Sequence, residues 1–262
     1  MSIYQKEAGK VAVVTGGGSG IGRASALAFS KEGMKVCVMD IKEERAEEVV
    51  QEIGNTGGEA IACEVDVSDP SEVQRGIEKA VQKWGRMDVL FANAGINGTL
   101  APIEKLSLEE WNTTISTNLN GTFLTVKHAI PYLKKAGGSI VITSSINGNR
   151  AFHGFGMAAY SSTKAAQVAF MKMAALELAR YKIRVNAICP GAIKTNIGQN
   201  TNATEAVKEI AIPVDYPEGD QPLEHKPGEP KQVADLVLFL ASERSSHISG
   251  TEIYIDGAET LL

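Results

Sequence analysis

Short apolar runs rich in β-branched residues alternate along this chain with longer segments in which apolar residues recur every three or four positions. Alternation of this kind predicts βαβ units and a parallel sheet. Strands are expected at residues 11–15, 36–40, 60–65, 89–92, 139–143, 184–189 and 252–255. Helices are expected at 20–31, 43–53, 70–84, 159–181 and 230–241, and helical segments from 108 to about 135. In the third of these, Val73, Ile77, Ala80, Val81 and Trp84 fall on one face, an apolar stripe suited to covering a sheet. Seven strands with no linker or internal repeat predict a single α/β domain over 1–262, doubly wound, with helices on both faces of a seven-stranded parallel sheet.

One stretch has another texture. Residues 196–230 contain five of the nine prolines, and acidic positions at Asp215, Glu218 and Asp220. It is too long for an ordinary connection, which makes it a candidate substrate lid that packs little on its own.

Composition narrows the class. Apolar residues make up 44% and charged residues 22% of the chain, close to soluble globular averages, which argues against a fibre or a disordered chain. A formal net charge of −5 with no basic stripe argues against nucleic acid as a partner. No apolar run reaches membrane-spanning length, so no membrane is expected, and a cytoplasmic location follows. Cys37, Cys63 and Cys189 are too few, and odd in number, for a disulfide framework; they read as reduced, buried thiols. The four histidines show no metal-ligand spacing, so no metal is expected.

Chemistry begins after the first strand, at Thr15, Gly16, Gly17, Gly18, Ser19, Gly20, Ile21 and Gly22. Glycines let a backbone turn sharply and approach a pyrophosphate, while the following helix start directs free N–H groups at it. At the end of the second strand stands Asp40, followed by Ile41, where a carboxylate can accept from both hydroxyls of an adenosine ribose. A 2′-phosphate there would meet like charge, and neither Ser19 nor Ile41 supplies an arginine. The expected cofactor is NAD, on a Rossmann-type sheet.

These residues resemble the short-chain dehydrogenase/reductase family in its compact single-domain form, over nearly the whole chain. Thr15, Gly16, Gly20 and Gly22 match its T-G-x-x-x-G-x-G; Asp66-Val67 matches the adenine-contacting pair after the third strand. Asn93-Ala94-Gly95 fits its N-A-G, with Ala92 in place of the family's preceding Asn. Pro190-Gly191 with Thr195, and Ile193 between them, fit the loop said to receive the nicotinamide. Tyr160 and Lys164, four apart on one helix face, fit the Y-x-x-x-K pair, and Asn118 fits the family's helix asparagine. Ser145 is preferred as the partner serine because it closes the fifth strand, with Ser144 as the alternative. The resemblance places that serine two residues nearer the tyrosine, where Asn147 stands.

The resemblance implies Tyr160 as acid/base, Ser145 as orienter of the substrate oxygen, Lys164 as a contact to the nicotinamide ribose, and Asn118 at a helix break in a proton relay. A cation about 4 Å from a phenol contributes about 4 kcal/mol towards the phenolate before desolvation is subtracted, so Lys164, helped by the oxidised nicotinamide ring, is enough in scale to bring a phenol from about 10 to about 7. Asn147, His153, Ile96, Asn97, Phe155 and the lid are expected to line the substrate side. The small-molecule substrate is then an alcohol or ketone, with a dinucleotide-binding regulator or scaffold as the alternative. Apolar residues Val168, Phe170, Met171, Met173, Ala174, Leu176 and Leu178 on the helix at 159–181 exceed what one sheet face needs, and the resemblance implies a homotetramer.

Overall fold

The computed structural model describes residues 7–152, 154–217 and 219–262; His153 and Glu218, both singled out above, lie outside the described residues. The expected strands appear as β1 (Val11–Thr15), β2 (Lys35–Asp40), β3 (Ala60–Glu64), β4 (Val89–Ala92), β6 (Gly138–Thr143), β7 (Ile183–Pro190) and β9 (Glu252–Ile255). All neighbours pair in parallel, in the order β3-β2-β1-β4-β6-β7-β9. The direction reverses beside β1, between β1 and β4. In such sheets ligands bind beyond the strands' carboxyl ends at this crevice.

Alternate residues along each strand feed two cores. On one face Val13, Cys37, Leu90 and Ile140 pack under α3 (Pro70–Trp84), α5 (Gly121–Leu133) and α6 (Ala158–Leu178). On the other, Ala12, Val14, Val38 and Phe91 pack under α1 (Gly20–Lys31), α2 (Glu43–Asn55) and α8 (Pro230–Ala241). Phe29 and Phe91 are completely buried there, each stabilising the fold by about 2–3 kcal/mol.

The helical segments expected over 108–135 are α4 (Leu108–Ile115) and α5, joined by a wide π turn, Ser116–Asn120, at the helix break that the resemblance implies at Asn118. Side chains enter the backbone ladder here, for the Asn118 carbonyl accepts from Thr122 Oγ1 at 2.7 Å and from Gln167 Nε2 at 2.9 Å.

The stretch 196–230 is more fastened than its prolines suggest. It contains β8 (Thr201–Ala203) and α7 (Val207–Ile210), and β8 pairs in parallel with β5 (Gly98–Leu100). Asn97 Nδ2 donates to Thr201 Oγ1 at 2.8 Å, and the Thr204 N–H and hydroxyl both donate to the Leu100 carbonyl. Three-residue strands show no periodicity, and their partners lie about a hundred residues apart, so neither was visible in the sequence pattern.

Candidate active site

At the carboxyl edge, one cavity of about 1260 Å³ runs from Asp40, Ile41 and Arg45 to Tyr160, Met157 and Asn200. Its first wall is the glycine turn. Gly16 has a φ of +60°, a conformation that L side chains adopt at a cost. A Cβ on Gly22 would lie 2.1 Å from the Gly16 carbonyl oxygen, so the turn folds onto α1 only with glycine at 22. Ser19, the residue before α1, makes no side-chain cap, leaving the first-turn N–H groups to a ligand. These features fit the pyrophosphate of a dinucleotide.

The turn is held from behind. Thr15 Oγ1 accepts from the Asn93 and Ala94 N–H groups at 3.0 and 3.2 Å. Asn93 Nδ2 donates to the Thr15 and Gly16 carbonyls, and its Oδ1 accepts from Thr143 Oγ1 at 3.1 Å. With Ala92 in place of an asparagine, the Asn93 side chain bonds groups at the ends of both β1 and β6 from the end of β4.

Asp40 is buried, and each of its oxygens accepts one backbone N–H: Gly18 to Oδ2 at 3.0 Å and Lys42 to Oδ1 at 3.1 Å. Asp66 Oδ1 accepts from the Ser68 N–H and hydroxyl, and both Asp66 and Val67 line the cavity. Gly16, Ser19, Gly20, Ile21, Ile41, Asn93, Ala94, Gly95, Pro190, Gly191, Ile193 and Thr195 line it as well. Thr15, Gly18 and Gly22 do not; they shape the turn from behind the wall.

Across the cleft, α6 presents Tyr160 and Lys164, both buried. Ser145 hydrogen-bonds the Tyr160 hydroxyl and accepts from the Asn147 N–H at 3.2 Å. Ser144 instead donates to the Lys164 backbone carbonyl at 2.8 Å, which separates the two serines: Ser145 meets the tyrosine and Ser144 braces the helix. Lys164 Nζ lies 5.4 Å from the centre of the Tyr160 ring and donates to the Thr143 carbonyl at 2.9 Å.

Burial dominates the electrostatics here. It pushes the Tyr160 phenol above its ordinary value, opposed by the Ser145 hydrogen bond. It also lowers the Lys164 ammonium to about 8 and, despite the Ser144 hydrogen bond, lifts the Cys189 thiol behind the site to about 11. The lowering expected of Lys164 includes help from the oxidised nicotinamide ring, and the protein alone shows the upward push of burial.

Asn118 does not reach the cavity. Its amide is fully buried, with Oδ1 accepting from the Ile96 N–H at 2.9 Å and Nδ2 donating to the Ile96 carbonyl and Thr163 Oγ1. It positions the Asn93–Ile96 wall rather than meeting a reactant. Ile96, Asn97 and Asn147 line the cavity, whereas Phe155 does not and Met157 lines it instead.

Two wall residues escaped the sequence reading. Arg45 reaches the Asp40 end of the cavity from the first turn of α2: the glycine turn and the residues just after Asp40 offer no arginine, but a helix starting at Glu43 turns Arg45 back towards the strand ends. Glu259 comes from the chain's last turn, and its Oε2 accepts from the Ala192 N–H at 2.9 Å and Gln221 Nε2 at 3.0 Å. No local signal marks it. Among the described residues no cluster of three or more potential metal ligands occurs, and no helix is long and apolar enough to cross a membrane.

With this geometry in place, comparison with known proteins is informative. A family model described as enoyl-(acyl carrier protein) reductase matches residues 16–258. Cyclohexanol dehydrogenase of Acinetobacter sp. (strain SE19) is 37% identical over 252 residues, 96% of this chain and 95% of the relative. The crystal structure of a 3-ketoacyl-ACP reductase from Sinorhizobium meliloti 1021 superposes with a TM-score of 0.93 at 49% identity, over 96% of this chain and 99% of that one. That of a 3-ketoacyl-(acyl-carrier-protein) reductase from Brucella melitensis, complexed with NADH, superposes at 0.85 with 30% identity, over 97% and 99%.

Proposed function

The chain belongs to the short-chain dehydrogenase/reductase family, and from that premise we propose that it interconverts a secondary alcohol and a ketone with NAD(H) as hydride partner. The observation that carries this reading is the Tyr160 hydroxyl, hydrogen-bonded to Ser145 and set beside Lys164, on the same cavity as the glycine turn and Asp40. Asp40 supports NAD over NADP, because its carboxylate suits free ribose hydroxyls and repels a 2′-phosphate. When bound, the dinucleotide supplies the hydride acceptor or donor and, in its oxidised form, a positive ring.

Tyr160 takes the proton of the alcohol or returns it to the ketone oxygen, and Ser145 hydrogen-bonds the same oxygen and holds it in reach. Bringing a phenol from above 10 to near 7 takes at least about 4 kcal/mol. Lys164, 5.4 Å from the ring centre, contributes about 3 kcal/mol at an effective dielectric near 20. The Ser145 hydrogen bond to the forming phenolate adds about 1.5–3 kcal/mol, and the positive ring of the oxidised dinucleotide would offset the burial that raises the phenol. Asn118 acts through the wall it braces and through the π turn.

The substrate side is lined by Ile96, Asn97, Asn147, Met157, Ile197 and Asn200, all uncharged, while Glu109 and Glu259 bring negative charge. That lining supports a neutral alcohol or ketone over a carboxylate or phosphate. The stretch 196–230 acts in this reading as a flap that excludes water, moving with β5 to which it is fastened. Phe123, Met173 and Leu176 of α5 and α6 are 46%, 66% and 76% exposed, an apolar surface that suits packing against a second copy in a homotetramer, which light scattering would test. Free, buried cysteines accord with a cytoplasmic location.

Tyr160→Phe tests the core of this reading. It keeps the ring and removes the ionisable hydroxyl, so kcat should fall at least ~10²-fold with NADH affinity nearly unchanged. A kcat near that of the unmodified protein would overturn it.

A further inference from the structure

The adenosine-ribose end of the cavity carries more positive charge than the residues beside Asp40 suggest. Arg45 Cβ and Asp40 Oδ2 would lie 2.6 and 2.9 Å from a Cβ on Gly18, so the two side chains converge on the same point of the glycine turn. Both line the cavity, as does Lys42, whereas Glu43 and Glu44 of the same helical turn are exposed and off its wall. Two cations, Lys42 and Arg45, thus stand on this part of the wall with the carboxylates Asp40 and Asp66. Among the described residues no ion pair engages the Arg45 guanidinium; Nη2 instead donates to Gln199 Oε1 at 3.0 Å. That neutral partner sits on the short helical turn Ile197–Asn200 at the start of the flap, across the mouth of the cleft.

A guanidinium held on a cavity wall by a single neutral hydrogen bond is available to an anion, since exchanging an amide oxygen for phosphate oxygens gains charge-assisted, bidentate bonding. Resting on the dinucleotide reading of the site, we propose that Arg45 is a second determinant of cofactor choice. Released from Gln199, it neutralises a 2′-phosphate that Asp40 repels, so the protein accepts NADP(H) beside NAD(H). Asp40 sets the preference, and Arg45 sets its depth. The clasp also links the two ends of the cleft, because the bond that Arg45 gives up for a phosphate is one of those holding the flap.

Calorimetric titration of NADH and NADPH tests this without any substrate. Arg45→Gln should weaken NADPH about tenfold and so shift selectivity towards NADH by a similar factor, while Arg45→Lys, which keeps the charge, restores most of the loss. Gln199→Ala should strengthen NADPH two- to threefold by freeing the guanidinium. The NADPH affinity of the unmodified protein should fall more steeply with salt than the NADH affinity, and Arg45→Gln should flatten that difference. Equal shifts for both dinucleotides in Arg45→Gln, or an unchanged NADPH affinity, would overturn the proposal and leave the dehydrogenase reading standing. Failure of the unmodified protein to bind either dinucleotide would instead remove that reading, and this one with it.

Discussion

The two halves of the cavity are built by different means. The dinucleotide half stands on the ends of β1, β2, β3 and β4, where turns are short and backbone packs tightly or is tied by a neighbouring side chain: Gly22 against the Gly16 carbonyl, the Gly18 N–H on the Asp40 carboxylate, the Asn93 side-chain amide on two carbonyls. The substrate half is assembled from pieces that lie far apart in the chain, with β8 on β5 and Glu259 beneath Ala192. Side-chain hydrogen bonds and a three-residue strand pair join them. The first half is a fixed cradle in which an added methyl group has nowhere to go. The second is a wall that changes in small steps, which suits a scaffold whose relatives are named for such different substrates as cyclohexanol and a ketoacyl group.

Gly22→Ala should expose the difference most strongly. Its methyl group meets the Gly16 carbonyl at 2.1 Å, so the turn must open and NADH affinity should fall by ~10²-fold or more. Gly54→Ala in α2 is the control: nothing lies within 4 Å of the added atom, and stability should rise by about 0.5–1 kcal/mol. An affinity for NADH unaltered in Gly22→Ala would show the cradle to be as forgiving as the flap.

The serine pair separates chemistry from support within the substrate half. Ser145→Ala should lower kcat by roughly 10- to 100-fold with little change in melting temperature. Ser144→Ala removes the bond to the Lys164 carbonyl and should cost about 1 kcal/mol of stability with a smaller effect on kcat. The opposite pattern would exchange their roles.

Lys164 marks where the halves meet, and its burial has a price in stability. Its folded-state value of about 8 lies below the unfolded value of 10.5, so the charged lysine destabilises the fold by about 3 kcal/mol at pH below 8. That cost shrinks as pH rises from 8 towards 10.5. Lys164→Met should therefore abolish turnover yet raise stability at pH 7 by about 2 kcal/mol, after loss of the Thr143 hydrogen bond, and the gain should vanish above pH 11. Denaturant titrations at pH 7 and 11 decide it; equal effects at both would contradict the burial argument.

The smallest effect is expected at the β5–β8 seam. Asn97→Ala removes one hydrogen bond to Thr201, worth about 1 kcal/mol, and should speed hydrogen exchange at 201–204 and raise KM a few-fold with NADH affinity unchanged. Unaltered exchange there would mean that the seam is held by other contacts.

The parts of this molecule that a reader of the chain can locate are those whose causes are local. Val11–Thr15 alternates between two cores, Pro70–Trp84 carries its cap at Asp69 and its stop at Gly85, and Tyr160 and Lys164 share a face because four residues span one helical turn. All seven strands of the main sheet and the glycine turn were legible in this way. Other features waited for the folded chain: the distinct hydrogen bonds of Ser144 and Ser145, the arrival of Arg45 and Glu259 at the cavity, and the contacts by which Asn118 braces Ile96. Each depends on which distant segments meet, and no periodicity in sequence encodes a partner that far away. The balance at Tyr160 and Lys164 belongs with them, because it is set by the loss of water around both groups, and burial is a property of the whole fold and not of a motif.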